Sequence, residues 1–181
     1  NSSAASDVYK RQEEYIAMLD WSTEQREHPV AIRVPGAVIH GEKPTKDYGI
    51  LNKYETVQKG SGAAIIALGT FFGMGKQAAE LIEKKTGVKP TLINPVYITG
   101  IDEELLESLK KDHKAVVTLE DGILDGGFGE KIARFYGDSD MRTVNFGLKK
   151  EFLDRYDANE VLRQNGITPE QIADRAAELI K

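Results

Sequence analysis

Apolar residues divide the chain into a short first part and a longer second part with regular alternation. In the first part, helical spacing of apolar residues predicts a helix over residues 13–25, and the run Val-Ala-Ile-Arg-Val predicts a strand over residues 30–34. The stretch up to residue 59 is polar and contains glycine and proline, so we interpret it as a linker with room for one short strand.

From residue 60 onward, apolar segments of strand length alternate with helical patterns. The predicted strands cover residues 63–68, 91–93, 115–119 and 142–146. The predicted helices lie within residues 76–85, 102–110, 126–136, 158–164 and 169–180. Asp102 and Thr168 are typical helix caps, and Gly87 is a typical helix end. Because strands that alternate with helices form βαβ units, we predict an α/β fold of three layers, with a mostly parallel sheet flanked by helices.

The first twelve residues stand apart from this pattern. Residues 1–12 are mostly small and polar without periodicity, and residues 7–12 resemble a translated sequencing-library adaptor. We therefore expect a non-native tail there, with a natural disordered tail as the alternative, and we exclude it from the fold prediction. Residues 13–35, 36–59 and 60–181 then form a helix–strand unit, the linker and the α/β domain.

Composition and charge argue against several classes of function. The chain has 181 residues, enough for one domain with a sizeable core. Its net charge of -5 argues against a broad nucleic-acid surface, and no apolar run reaches the roughly 20 residues of a membrane span. It has no cysteine, which excludes disulfides and thiol catalysis, and its three scattered histidines leave little material for a zinc site. We expect neither nucleic acid nor a membrane as a partner.

A glycine-rich segment lies between the first predicted strand and helix of the α/β domain, where phosphate-binding loops occur. The Walker spacing fails, because Thr70 stands at its first glycine and Gln77 at its Ser/Thr. The dinucleotide spacing is nearer, with Gly73, Gly75 and Ala78, but no acidic residue follows the second strand convincingly. We favour a role of these glycines in the turn and in helix–strand packing, with nucleotide binding as the alternative.

Three carboxylates, Glu120, Asp121 and Asp125, follow the third predicted strand. They suit either a metal or acid–base site, or the complementation of a helix N-terminus, and we favour the helix interpretation. The glycines that permit close packing against a partner are Gly126, Gly127 and Gly129. In the first part of the chain, Tyr15 and Trp21 are interpreted as packing residues.

Several segments together resemble a known family. Five segments resemble the C-terminal domain of the transketolase family: residues 64–70, 78–81, 92–102, 116–122 and 126–129. Residues 17–19 and 29–36 resemble the last helix and strand of the pyrimidine-binding domain that precedes it. Within the family, residues 13–181 are most similar to the 1-deoxy-D-xylulose-5-phosphate synthase branch.

The resemblance implies a thiamine-diphosphate- and Mg²⁺-dependent transferase of isoprenoid synthesis, cytoplasmic and homodimeric. Such an enzyme joins a two-carbon unit from pyruvate to glyceraldehyde 3-phosphate, with loss of carbon dioxide. The family's Gly-Asp-Gly…Asn cofactor motif is absent from this sequence. We therefore expect a C-terminal fragment that has no catalytic or metal-binding residue, binds no cofactor by itself, is inactive alone, and has the missing N-terminal domains as its partners.

Two departures from the family concern the acceptor's phosphate. The family reads Tyr-Pro-Arg-Gly where this chain has Val34 before Pro-Gly, and it has an arginine where Val96 stands. The resemblance gives those arginines the role of holding the phosphate. The candidate substrate-binding residues are therefore Arg33, His40, which has lysines nearby, and Tyr97. Otherwise the acceptor is a different aldehyde.

Three other functions stay open from the sequence. The enzyme alternative is another transketolase or a 2-oxo-acid dehydrogenase β-type subunit. The second is a free-standing nucleotide- or anion-binding module that uses Gly73 and Gly75. The third is a purely structural assembly domain, which would associate with itself and bind no ligand.

Overall fold

The first part of the chain forms a small helix–strand unit. The computed structural model describes residues 4–7, 12–34 and 47–181. Strand β1 (Ala4–Asp7), helix α1 (Gln12–Glu24) and strand β2 (Val30–Arg33) come first, and β1 pairs with β2 in a parallel two-stranded sheet. No strand was predicted in residues 1–12, because a short run of small and polar residues gives no alternating pattern. Strands β1 and β2 pair through their backbone groups, which a pattern of side chains does not report.

The second part contains a five-stranded sheet. Its strands are β3 (Glu55–Gln58), β4 (Gly62–Ala67), β5 (Thr91–Asn94), β6 (His113–Ile123) and β7 (Arg142–Leu148). They lie in the order β3-β5-β4-β6-β7, with β3 antiparallel to β5 and the other pairs parallel. This confirms the prediction of a mostly parallel sheet. Strand β3 lies near the end of the predicted linker.

Helices cover both faces of this sheet. They are α2 (Phe72–Thr86), α3 (Glu103–Leu109), α4 (Phe128–Tyr136), α5 (Ala158–Gln164) and α6 (Pro169–Leu179). Apolar residues of α2 and α6 pack on one face, and those of α3 and α4 pack on the other. The three-layer α/β architecture is therefore confirmed. Within the described residues, no helix is long and apolar enough to cross a bilayer.

The central strand β4 is buried on both faces. Its alternate residues Ile65 and Ala67 face the layer of α2 and α6, and Ala64 and Ile66 face the layer of α3 and α4. All four are 0% exposed. A strand covered on both sides needs apolar residues at every position, which explains its continuous apolar run in the sequence.

The predicted helix ends agree with the structure. The side chain of Asp102 accepts a hydrogen bond from the backbone N–H of Leu105 at 3.1 Å, which caps α3. Thr168 caps α6 in the same way. Gly87 ends α2 with a φ of 73°, a left-handed conformation that favours glycine.

Helix α2 begins four residues before its predicted start at residue 76. Gly73 and Gly75 therefore lie inside the helix and not in a phosphate-binding loop; the connection from β4 is a single 3₁₀ turn, Gly69–Phe71. A Cβ atom on Gly75 would lie 2.8 Å from the Cβ of Ala67, whereas a Cβ on Gly73 would meet no described residue within 4 Å. The absence of a side chain at Gly75 permits the close approach of α2 to β4.

This difference predicts opposite effects for two matched substitutions in one helix. Gly75→Ala should lower the free energy of unfolding by about 1–3 kcal/mol, because the added methyl group overpacks the contact with Ala67. Gly73→Ala should leave it unchanged or raise it by about 0.5 kcal/mol, because the site is open and alanine is the better helix former. Urea denaturation measures both, and equal effects would contradict the packing role of Gly75.

Candidate functional site at the carboxyl edge of the sheet

The loops that follow β4 and β6 meet at the carboxyl-terminal edge of the five-stranded sheet. These two strands are neighbours, and the helices that follow them, α2 and α4, lie on opposite faces. Neighbouring strands whose helices diverge in this way form the crevice where ligands bind in open α/β sheets. The side chains around this crevice are therefore the candidate functional site.

Glu120 lies at this edge in β6 and is only 5% exposed. Its carboxylate accepts hydrogen bonds from the backbone N–H groups of Phe128 and Gly129, at 2.8 and 3.0 Å, in the first turn of α4. Burial raises the pKa of Glu120, and these two hydrogen bonds act in the opposite direction. Glu120 thus complements a helix N-terminus, which confirms for this residue the helix interpretation favoured from the sequence.

The three glycines after β6 have different local surroundings. A Cβ on Gly127 would clash with the Glu120 carboxylate, and one on Gly129 would lie 2.7 Å from the side chains of Asn145 and Thr118. Gly126 has a φ of 73°, and a Cβ there would meet no atom of the described residues within 4 Å. Gly127 and Gly129 therefore make close contacts inside the chain, whereas Gly126 makes none with the residues that the structure describes.

Asp121 connects three segments that are far apart in the sequence. The Thr70 hydroxyl, in the turn after β4, donates a hydrogen bond to Asp121 Oδ2 at 3.0 Å. The guanidinium of Arg33, in β2, lies 2.5 Å from the same oxygen and 3.2 Å from the Asp121 carbonyl oxygen. The side chains of Arg33 and Asp121 are 44% and 38% exposed, so we expect this ion pair to contribute no more than about 1 kcal/mol. It nevertheless holds Arg33 at the carboxyl edge.

Tyr97 follows β5 and is buried. Its hydroxyl donates a hydrogen bond to the carbonyl oxygen of Tyr48 at 2.5 Å, and its ring makes an edge contact with Trp21 at 6.3 Å between centroids. Burial raises the pKa of Tyr97 to about 12. In the described part of the chain, Tyr97 therefore acts as a packing residue that joins α1 to the sheet. Trp21 and Tyr15 pack in the same apolar cluster, as predicted.

Val96 has a strained backbone. Its φ is 60°, which is rare for a β-branched residue, and the backbone N–H of Tyr97 donates to the carbonyl oxygen of Pro95 at 2.5 Å across it. This pattern is a γ-turn of the strained kind, which costs about 1–3 kcal/mol. Val96 is 1% exposed, so a buried core residue lies at the position where the resemblance implies an arginine.

The remaining site predictions concern His40 and a metal. His40 lies outside the described residues, so Arg33 and Tyr97 are the candidate substrate-binding residues that the structure describes. Among the described residues, no group of three or more His, Cys, Asp or Glu side chains is arranged to hold a metal ion. With the oxygens of Glu120 bonded to α4, and Asp121 bonded to Thr70 and Arg33, these side chains do not fit a thiamine-diphosphate or Mg²⁺ site.

Sequence reasoning singled out Asp121 but missed its partner Thr70, and it also missed Lys131. Lys131 donates hydrogen bonds from α4 to the carbonyl oxygens of Ile98 and Thr99, at 2.8 and 3.0 Å. These bonds join α4 to the loop after β5. Their only trace in the sequence is a lysine in a helix, which is usually interpreted as a solvated residue.

Because Glu120 caps α4, its removal should lower stability strongly, whereas removal of the nearby Asp125 should not. Glu120→Ala should lower the free energy of unfolding by about 2–4 kcal/mol, because it leaves two buried N–H groups without an acceptor. Asp125→Ala, at an exposed position in the same loop, should change it by less than about 0.5 kcal/mol. Chemical denaturation measures both values, and a similar loss in the two variants would contradict the role of Glu120.

The raised pKa of Glu120 also predicts a pH dependence. A carboxyl group whose pKa is higher in the folded than in the unfolded protein binds its proton more tightly when folded. Its contribution to stability is therefore largest below the ordinary glutamate pKa and decreases as pH rises from that value through the raised one. The stability of Glu120→Gln, measured by denaturation at several pH values, should lack this decrease relative to the unchanged protein. Parallel curves would contradict the raised pKa.

Comparison with known proteins matches most of this chain to one family. Residues 52–172, more than half of the chain, match the family described as "Transketolase, C-terminal domain". A 1-deoxy-D-xylulose-5-phosphate synthase of Shouchella clausii is 31% identical over 156 residues, which are 84% of this chain and 25% of that protein. The enzyme of the same name from Clostridium perfringens is 32% identical over 174 residues, which are 93% of this chain and 28% of that protein. The chain thus spans about a quarter of the length of these relatives.

Solved structures show the same fold. A split-gene transketolase, described as an inactive β4 tetramer, superposes with a TM-score of 0.81 at 22% identity, over 99% of this chain and 58% of that one. A transketolase variant of Pichia stipitis superposes with a TM-score of 0.68 at 18% identity, over 98% of this chain and 25% of that one. The sheet order, the three layers and the match over residues 52–172 together show that the chain belongs to the transketolase C-terminal domain family.

Proposed function

We propose that this chain is the C-terminal part of a thiamine-diphosphate-dependent transferase of the 1-deoxy-D-xylulose-5-phosphate synthase type. The observation that carries the proposal is the similarity to enzymes of that name over 84–93% of the chain. The complete enzyme would join a two-carbon unit from pyruvate to glyceraldehyde 3-phosphate and release carbon dioxide, as a step of isoprenoid synthesis. Other transketolases and 2-oxo-acid dehydrogenase β subunits are the alternative, and the relatives above favour the synthase.

Within that enzyme, we propose that residues 13–35 complete the pyrimidine-binding domain and that residues 36–59 connect it to the C-terminal domain. The contacts of α1 and β2 support the placement of this first part beside the C-terminal domain. Met18 of α1 packs with Tyr48, Val96 and Tyr97, and Arg33 of β2 pairs with Asp121. The first part thus rests on the carboxyl edge of the sheet, where it would form one wall of a substrate channel. The sheet itself begins with β3, before residue 60.

The cofactor would be held by the part of the enzyme that precedes this chain. When bound, thiamine diphosphate supplies the carbanion chemistry that transfers the two-carbon unit. The residues of this chain do other work: Glu120 fixes α4, Asp121 fixes the guanidinium of Arg33, and Tyr97 fixes the turn that contains Tyr48. The chain would therefore shape the channel without taking part in bond formation.

We further propose that the complete enzyme is a cytoplasmic homodimer in which the turn after β6 approaches the partner. Gly126 supports this, because no described residue other than its chain neighbours lies within 4 Å of the position that its Cβ would take. The internal contacts of Gly127 and Gly129 give these two residues a role in supporting that turn.

The proposal predicts that the purified chain has no synthase activity and binds no thiamine diphosphate. A chimera tests whether this chain supports synthase activity as part of a complete enzyme. In the chimera, this chain replaces the last quarter of the Clostridium perfringens relative. The chimera should bind thiamine diphosphate and form 1-deoxy-D-xylulose 5-phosphate from pyruvate and glyceraldehyde 3-phosphate. Activity of the chain alone, or a chimera that binds the cofactor but forms no product, would contradict the proposal.

The same chimera tests the role of Arg33 toward the acceptor. If Arg33 leaves Asp121 to bind the phosphate, Arg33→Gln should raise the KM for glyceraldehyde 3-phosphate roughly 10- to 100-fold, the loss of one or two charge-assisted hydrogen bonds. The KM for unphosphorylated glyceraldehyde should not change. Arg26→Gln, at an exposed position before β2, is the matched control. Equal kcat/KM for the two aldehydes in the unsubstituted chimera would indicate a different acceptor.

A further inference from the structure

A basic cavity lies at the amino-terminal edge of the five-stranded sheet, opposite the edge that contains Glu120. Its volume is about 600 Å³, within the usual size range of small-molecule sites. It opens where β6 and β7 begin. The cavity is lined by Lys110, His113, Lys114, Ser139, Asp140, Met141, Arg142, Leu179 and Lys181.

The cations of this cavity exceed what the composition of the chain would supply. Lysine and arginine make up 24 of 181 residues, so nine lining residues would carry about one on average. Among the described residues, its lining has four, against one acidic side chain, Asp140, in a chain whose net charge is -5. Positive charge is therefore concentrated at this edge.

Two of the four cations have structural partners. Lys110 pairs with Glu107 at 2.6 Å, and Lys114 donates to main-chain oxygens of Ile180 and Lys181, at 3.2 and 3.3 Å, where α6 ends. Cations near the last turns of helices complement the helix dipole. These contacts give Lys110 and Lys114 a structural role that requires no ligand. Both residues still contribute positive charge to the cavity.

The other two cations lack such an explanation. Within the described part of the chain, the side chains of Arg142 and Lys181 make no hydrogen bond or ion pair, and both are exposed. Asp140 lies two residues from Arg142 and does not pair with it. The guanidinium of Arg142 thus keeps its donors free, in the planar arrangement that suits phosphate oxygens.

The rest of the lining is mostly apolar or already bonded. Met141 and Leu179 are nearly buried. The two ring nitrogens of His113 contact the carbonyl oxygen of Leu109 and the hydroxyl of Thr91, at 3.0 and 2.8 Å. The cavity therefore combines an apolar surface with a basic rim.

We propose that this cavity binds a small organic anion that carries a di- or triphosphate group. The phosphates would contact Arg142, Lys181 and Lys114, and the organic part would lie on Met141 and Leu179. Charge-assisted hydrogen bonds from arginine and lysine to phosphate oxygens are strong, and a group with several negative charges matches several cations at once. The site does not depend on the proposed synthase activity.

Calorimetric titration of the 181-residue chain with ATP and with inorganic triphosphate at low salt tests this site. Both should bind saturably, with ATP tighter because its nucleoside covers the apolar surface. The double substitution Arg142→Gln/Lys181→Gln should weaken ATP binding at least tenfold, and Asp140→Asn should tighten it severalfold. Lys84→Gln/Lys150→Gln removes the same charge at exposed positions outside the cavity and should leave the affinity within about twofold.

Several results would overturn the proposal. They are an absence of saturable binding up to millimolar ligand, an equal loss in the two double variants, or tighter binding of a single-stranded oligonucleotide than of ATP. Equal affinity for ATP and triphosphate would overturn the contact with Met141 and Leu179. Thermal melting monitors folding of the variants, which should be retained because the substituted cations have no partner among the described residues.

Discussion

The buried carboxylate of Glu120 is the interaction on which the carboxyl edge of the sheet depends. A helix that starts against a buried strand has backbone N–H groups without partners, and burial makes each of them costly. Glu120 supplies one acceptor oxygen to each of two such groups, at a position where β6 turns toward α4. The same carboxylate leaves no room for a side chain at Gly127, so the glycine at this position of the turn follows from the cap.

With Glu120 occupied by α4, Asp121 becomes the contact between this edge and the first part of the chain. Its carboxylate accepts hydrogen bonds from Thr70, in the turn after β4, and from Arg33, in β2. The ion pair itself is weak because it is partly solvated, and the apolar cluster around Tyr97 and Trp21 supplies most of the attachment. Burial thus holds the two parts together, and the ion pair determines where the guanidinium lies.

The sequence predicted those features whose physical cause is local. A continuous apolar run marked β4, and Thr168 followed by proline marked the start of α6. The features that the sequence does not show have causes that are distant in the chain. The predicted start of α2 is too late because a glycine in this segment suggests a loop. Gly75 instead permits a close contact with Ala67 on β4. The burial of Tyr97 depends on Trp21, 76 residues away, and the position of Arg33 depends on Asp121, 88 residues away. No pattern along the sequence reports such contacts.

Helix ends explain the placement of several charged residues at the two edges of the sheet. Helices in this fold point their N-terminal ends toward the carboxyl edge and their C-terminal ends toward the amino edge, so acids suit the first and cations the second. Glu120 follows this rule at α4, and Lys110 and Lys114 follow it at α3 and α6. Neutralising the N-terminus of α4 with Glu120 removes its N–H groups as anion ligands. Arg142 and Lys181 exceed what the helix ends require, and this surplus gives the amino edge its capacity to bind an anion.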